Sequence, residues 1–150
     1  MKTRFKKIRK VKTDLLVLSE LRRNARQSIT LISRRTGLSV STIINKIEKL
    51  NPFVKKYSAL IDFSKIGFNI HVLFLIKAEK SLKPLLENPF VNNAYKINDS
   101  YNYYIEAVFK SIKDYDDFKK ELLNHSSKFK ELFVVEEFER EGFLGNGIIV

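Results

Sequence analysis

Along the first sixty positions the apolar residues recur at helical spacing, and beyond them the rhythm shortens to that of strands. Val11, Leu15, Leu18 and Leu21 fall on one stripe, Ile29 and Ile32 on a second, and Val40, Ile43, Ile47 and Leu50 on a third. Capping chemistry divides the stripes. Ser28 is a good N-cap for a short helix reaching about Thr36, Gly37 suits the left-handed residue that ends it, and Ser39 caps the next. Only Gly37, Leu38 and Ser39 separate the second and third helices, which matches the tight turn of a helix-turn-helix. Pro52 stops the third helix, and the β-branched and aromatic content of 54–61 predicts a short wing or linking strand.

From Asn69 the pattern predicts strand 70–78, helix 81–87, strand 92–98, strand 103–109, helix 114–125 and strand 132–139. This β-α-β-β-α-β order is that of a ferredoxin-like domain, with both helices on one face of a four-stranded antiparallel sheet. Leu85 and Leu86, then Phe118, Leu122 and Leu123, supply the stripes those helices need. The runs HVLFLI and FVV are apolar at consecutive positions, which implies burial on both faces. Helices cover only one, so a second copy of the chain is expected on the other, giving a two-fold dimer. The fold class is therefore α+β: a basic N-terminal arm at 1–12, a winged helix-turn-helix at 13–61, a linker at 62–68 and a ferredoxin-like domain at 69–145.

Charge sharpens this division. Residues 1–60 hold 16 Lys and Arg against 3 Asp and Glu, whereas residues 61–150 hold 12 against 14. So one-sided a half has the electrostatic footprint of nucleic-acid binding, because cations along a face displace the counterions condensed on phosphates. Seven Lys or Arg among the first twelve residues form either a backbone-tracking arm or a solubilising tail.

If the third stripe faces the core, the helical period turns Ser41, Thr42, Asn45, Lys46 and Lys49 outward. Asn pairs with adenine through two hydrogen bonds, Ser and Thr reach bases or phosphates, and lysines neutralise backbone charge. Arg26, Lys55 and Lys56 stand where the second helix and a wing would touch flanking phosphates, and the capping serines Ser28 and Ser39 complete the candidate DNA-binding set. The bland alternative is a solvated helix face. The turn before it and the surrounding positive charge favour the DNA reading.

Other chemistry is sparse. With no cysteine there is no disulfide, thiolate metal site or cysteine nucleophile. His71 and His125 have no partner at ligand spacing, so structural roles are expected, and no catalytic residue, metal or cofactor. The longest apolar run, 72–76, is far short of the roughly 20 residues of a membrane span, and the charged N-terminus is unlike a secretory signal. A cytoplasmic protein with no membrane partner is expected.

Several motifs together resemble the Lrp/AsnC family, also called feast/famine regulators, from about Lys12 to Gly142. Arg26–Leu50, RQSITLISRRTGLSVSTIINKIEKL, is similar to the family's helix-turn-helix, with Lys46 where the family usually has arginine. Val54–Phe68, VKKYSALIDFSKIGF, resembles its wing and D-P-x-x-L-G-Y linker, with Phe63 replacing the proline. The resemblance implies a transcription regulator, activator or repressor, acting on promoter or operator double-stranded DNA as a homodimer, tetramer or octamer. It also implies an amino-acid effector near a G-x-Y-D loop. Here that loop reads Asp99, Ser100, Tyr101, Asn102, and the loss of both the glycine and the acid argues against an ordinary amino-acid effector. Three competing readings are an architectural protein that coats or bends DNA with low sequence specificity, an enzyme similar to tetrapyrrole decarboxylases of this two-domain plan, and a partner-binding protein with a vestigial helix-turn-helix. The Ser41 to Lys49 face argues against the last.

Overall fold

The structure, a computed structural model, describes residues 2–144. The chain divides into two units, one comprising Met1–Leu60 and the segment from Glu139 onward, the other Ile61–Phe138. Residues 139–144, expected to belong to the ferredoxin-like domain, thus group with the first unit, and residue 145 lies outside the described residues.

In the first unit α1 spans Lys2–Arg23, α2 Ile29–Thr36 and α3 Val40–Leu50. The arm expected at 1–12 is helical in backbone from Lys2, as part of α1; Met1 and the side chains of 2–10 lie outside the described residues. The capping signals act as read. The Ser28 side chain accepts from the Leu31 N–H, the Ser39 side chain accepts from the Thr42 N–H, and Gly37 takes the left-handed φ of 70° that a side chain would strain. Ser33 Oγ donates to the Leu38 carbonyl at 2.6 Å and ties the turn down. The core is Val17, Ile32, Ile43 and Leu50. Val17 lies off the expected stripe and Val11 is exposed, because α1 packs against α2 and α3 with its later turns. The buried Glu20 carboxylate of α1 accepts from Arg23 at 3.2 Å and Arg35 at 3.3 Å, a charge made tolerable by two cations. The returning segment docks on α1 through Arg22, which donates to the carbonyls of Glu141 at 2.9 Å and Phe143 at 3.2 Å, and through Ser19 Oγ, which donates to the Leu144 carbonyl at 2.6 Å.

After α3 the chain makes a single 3-10 turn, Asn51–Phe53, and then runs without regular structure. The strand expected at 54–61 is therefore absent: its β-forming residues have no neighbouring strand to pair with in their own unit, and propensity without pairing makes no sheet. A second 3-10 turn, Ser64–Ile66, sits in the linker. Asp62 opens it, accepting from Ser64 Oγ at 2.6 Å; that hydrogen bond and those from Lys65 hold its carboxyl down to about 2.

The second unit has β1 Ile70–Ala78, α4 Lys83–Leu86, β2 Val91–Lys96, β3 Tyr103–Phe109, α5 Ile112–Leu123 and β4 Ser126–Phe133. The sheet is antiparallel in the order β2-β3-β1-β4. Val72, Phe74, Ile76, Ile105, Ala107 and Phe109 point to the helical side and meet Leu82, Leu85, Tyr115, Phe118 and Leu122. Four expectations shift, the smallest being strand β2, which spans Val91–Lys96 rather than 92–98. Helix α4 is cut to four residues, with Leu86 exposed. Helix α5 starts at Ile112 because Ser111 and Asp114 form a capping box, so Asp114 is inside the first turn; its Leu123 faces solvent. Strand β4 lies six residues before the expected 132–139. It is an edge strand whose helix-facing residues include Glu131, rescued by Tyr115 Oη at 2.5 Å and Lys119 Nζ at 2.8 Å, so its apolar signal is weak and the pull of Val134 and Val135 misleads. No helix among the described residues is long and apolar enough to cross a membrane.

Candidate nucleic-acid interface

Helix α3 carries the candidate site. Its buried stripe is Ile43, the half-buried Ile47 and Leu50, which leaves Ser41, Asn45 and Lys49 exposed on the opposite side as expected. Thr42 is half-buried and spends its hydroxyl on Ser39 Oγ, 2.8 Å away, so it belongs to the cap. Ser39 Oγ also lies 3.2 Å from Ser41 Oγ.

Lys46 departs from the expectation that it faces outward. Its side chain is only 15% exposed and its Nζ forms an ion pair with Asp14 of α1. That contact locks α3 to α1, and with it the angle at which the exposed face is presented. The sequence concealed it because the partner is 32 residues away.

The face also holds residues that the reading of the sequence omitted. Val40, Ile44 and Glu48 are exposed beside Ser41, Asn45 and Lys49. Marking Val40 as core rested on the stripe alone; as the first residue of α3 it stands clear of α1 and α2. Arg26 and Ser28 are exposed at the start of α2, with Ser28 Oγ engaged as cap, and Lys55 and Lys56 are exposed on the irregular segment after α3.

In the second unit the candidate effector loop is arranged by Asn102. Its Oδ1 accepts from the Ala78 N–H and its Nδ2 donates to the Ala78 carbonyl, both at 2.8 Å, while its own N–H donates to the Ile76 carbonyl at 2.9 Å. The amide thus imitates one more ladder pair at the end of β1, a task that needs a donor and an acceptor on one side chain. Lys128 Nζ stands 5.5 Å from the centre of the Tyr101 ring; Asp99 and Ser100 are exposed. We expect Asn102→Asp to destabilise the second unit by about 1–3 kcal/mol, because a carboxylate would face the Ala78 carbonyl with no hydrogen to offer. Urea unfolding above pH 6 measures it, and an unchanged midpoint would refute the pinning role.

His71 does not stand alone. Its Nε2 lies 2.9 Å from Glu106 Oε1 across the sheet, and Glu106 also accepts from Asn92 at 2.8 Å and Asn93 at 2.7 Å. Burial pushes the Glu106 carboxyl upward, but the hydrogen bonds from Asn93 and Asn92 and the neighbouring imidazole outweigh it and hold it below the usual range. Spacing along the chain could not reveal this cluster, which antiparallel register assembles from three strands.

Comparison with known proteins agrees with the geometry. Residues 11–51 match a family described as winged helix-turn-helix DNA-binding. A helix-turn-helix-type transcriptional regulator of Pyrococcus furiosus is 29% identical over 144 residues, covering 86% of this chain and 93% of the relative. The helix-turn-helix-type transcriptional regulator YezC of Bacillus subtilis is 31% identical over 113 residues, 71% of this chain and 80% of its own. The solved structure of LrpC from Bacillus subtilis shares the fold with a TM-score of 0.75 at 18% identity, over 84% of this chain and 94% of that one. With both units, the capped recognition turn and these relatives in view, the chain belongs to the Lrp/AsnC family of helix-turn-helix transcriptional regulators.

Proposed function

We propose that the protein regulates transcription as a cytoplasmic homodimer that sets two copies of α3 into successive major grooves of a pseudo-palindromic site, about 34 Å apart. The observation that carries this reading is the exposed face of α3: Ser41 and Asn45 are free to reach base edges, and Lys49 to reach phosphate, on a helix capped at Ser39 and anchored through Lys46 and Asp14. Arg26, Lys55 and Lys56 contribute flanking phosphate contacts. The protein is not an enzyme in this reading and needs no cofactor.

The open side of the sheet supports the dimer. Leu73, Leu75 and Leu132 lie there together, around the His71–Glu106 cluster, while the helices occupy the other side. A two-fold copy laid over this surface would bury the leucines, and the polar cluster would fix its register. Further assembly to tetramers or octamers is compatible with the same chain. At the effector loop, Asn102 spends its amide on Ala78, which supports regulation without an ordinary amino-acid effector.

Fluorescence anisotropy with the protein's own upstream DNA and a scrambled duplex, each at two salt concentrations, tests the proposal. A preference of roughly a thousandfold or more is expected. Equal, strongly salt-dependent affinity would instead leave an architectural protein or a regulator whose target lies elsewhere in the genome. Within the site, Asn45→Ala is expected to lower the preference, by roughly 1–3 kcal/mol at one position of the site, while Lys49→Ala weakens all duplexes alike and reduces the salt slope by about one. Identical effects of the two variants would sink this division of labour.

A further inference from the structure

Two rows of side chains run along the exposed side of α3, with successive members four positions apart. Ser41, Asn45 and Lys49 form one; Val40, Ile44 and Glu48 form the other. Val40 is 44% exposed and Ile44 40%, although the buried stripe of Ile43, Ile47 and Leu50 is complete without them. A single exposed aliphatic residue means little. Here two of them sit one turn apart on the N-terminal half of the helix that the Gly37 turn presents. That half is where groove-reading helices touch base edges. The row contains no cation, and Glu48 at its end repels phosphate, so the row is unsuited to the backbone. It lies nevertheless within residues 1–60, whose 16 Lys and Arg against 3 Asp and Glu draw it onto DNA.

The major-groove edge of a base pair offers one apolar group, the 5-methyl of thymine. We propose that Ile44, supported by Val40, packs against thymine methyls in the major groove, beside adenine held by Asn45. Thymine would then be read by removal of apolar surface from water rather than by a hydrogen bond. The proposal rests on the reading that α3 enters the major groove, and it adds the base that this row selects. It makes Ile44 a specificity residue, distinct from the phosphate-binding role of Lys49.

The test uses the full chain. A preferred duplex is first selected from a randomised pool, and its affinity is then measured with deoxyuridine replacing thymidine at each position in turn, for the wild type, Ile44→Ala and Lys49→Ala. Deoxyuridine lacks only the methyl. At one or two positions in each half-site the wild type should lose about fourfold per methyl. Ile44→Ala should show no such loss there, while Lys49→Ala keeps it. Alanine is the better helix former at an exposed position, so unchanged circular dichroism is expected. The proposal is overturned if Ile44→Ala keeps the uridine penalty, if no position shows one, or if Ile44→Ala changes the oligomeric state, which would put Ile44 between copies. Failure to select any duplex would remove the parent reading as well and is recognised at the first step.

Discussion

A Leu132→Glu chain should stay folded, elute as a monomer and lose at least about a hundredfold in affinity for a duplex carrying both half-sites. The single chain tolerates the change: Leu132 is 41% exposed there, on the edge strand β4, opposite Leu73 of β1. A dimer built on the open side of the sheet would not tolerate it, because the two-fold would press a carboxylate of each copy into the leucine surface that it buries. Once the copies separate, the second recognition helix no longer binds from an effective concentration set by the first, and that advantage is typically 10²–10⁴ in affinity, on the order of the stated loss. Sedimentation velocity at micromolar concentration together with anisotropy on one- and two-half-site duplexes measures both effects. A dimer that persists in Leu132→Glu would place the interface elsewhere, and a monomer with undiminished affinity would mean that one α3 suffices.

The contrast between this surface and the exposed face of α3 shows what a sequence gives away. Ser28, Gly37, Ser39 and Pro52 act on residues within one turn of themselves, so their effects on α2 and α3 could be read directly, and the same holds for strand β3, whose expected bounds and observed bounds coincide at Tyr103–Phe109. The expectation of a dimer rests on a local pattern as well, the uninterrupted apolar run of β1, and awaits the measurement above. What escaped were effects settled by distant partners. Lys46 has the charge of a phosphate contact but turns to Asp14; His71 looks solitary until β1 and β3 align it with Glu106; the stretch 54–61 has strand-forming residues and no strand to join. Ile44 and Val40 escaped for another reason. Val40 falls on the apolar stripe and so reads as core, Ile44 falls between the stripe and the polar face, and only exposure in the packed unit shows both open to solvent.

Ile43→Ala provides the complementary test, because it changes the neighbour of Ile44 and should act by a different route. Ile43 is fully buried in a core where Val17, Ile32 and Leu50 are the other buried apolar residues among those described in its unit. Truncation of a buried isoleucine to alanine costs about 2–5 kcal/mol through lost transfer energy and the cavity left behind. A unit of some sixty residues commands only a few kcal/mol in total. The first unit should therefore be largely unfolded at 37 °C and DNA binding should fall to background, while the second unit, with its separate core of Phe74, Phe109, Phe118 and their neighbours, keeps its structure. Amide hydrogen exchange resolves the two: protection lost from α2 and α3 and retained in β1 and β3 is the expected result. Loss of protection in both units together would show that they fold as one cooperative body. Retained stability with lost binding would move Ile43 from the core to the reading surface, and the assignment of Ile44 to that surface would then have to be abandoned, since the two point about 100° apart on one helix.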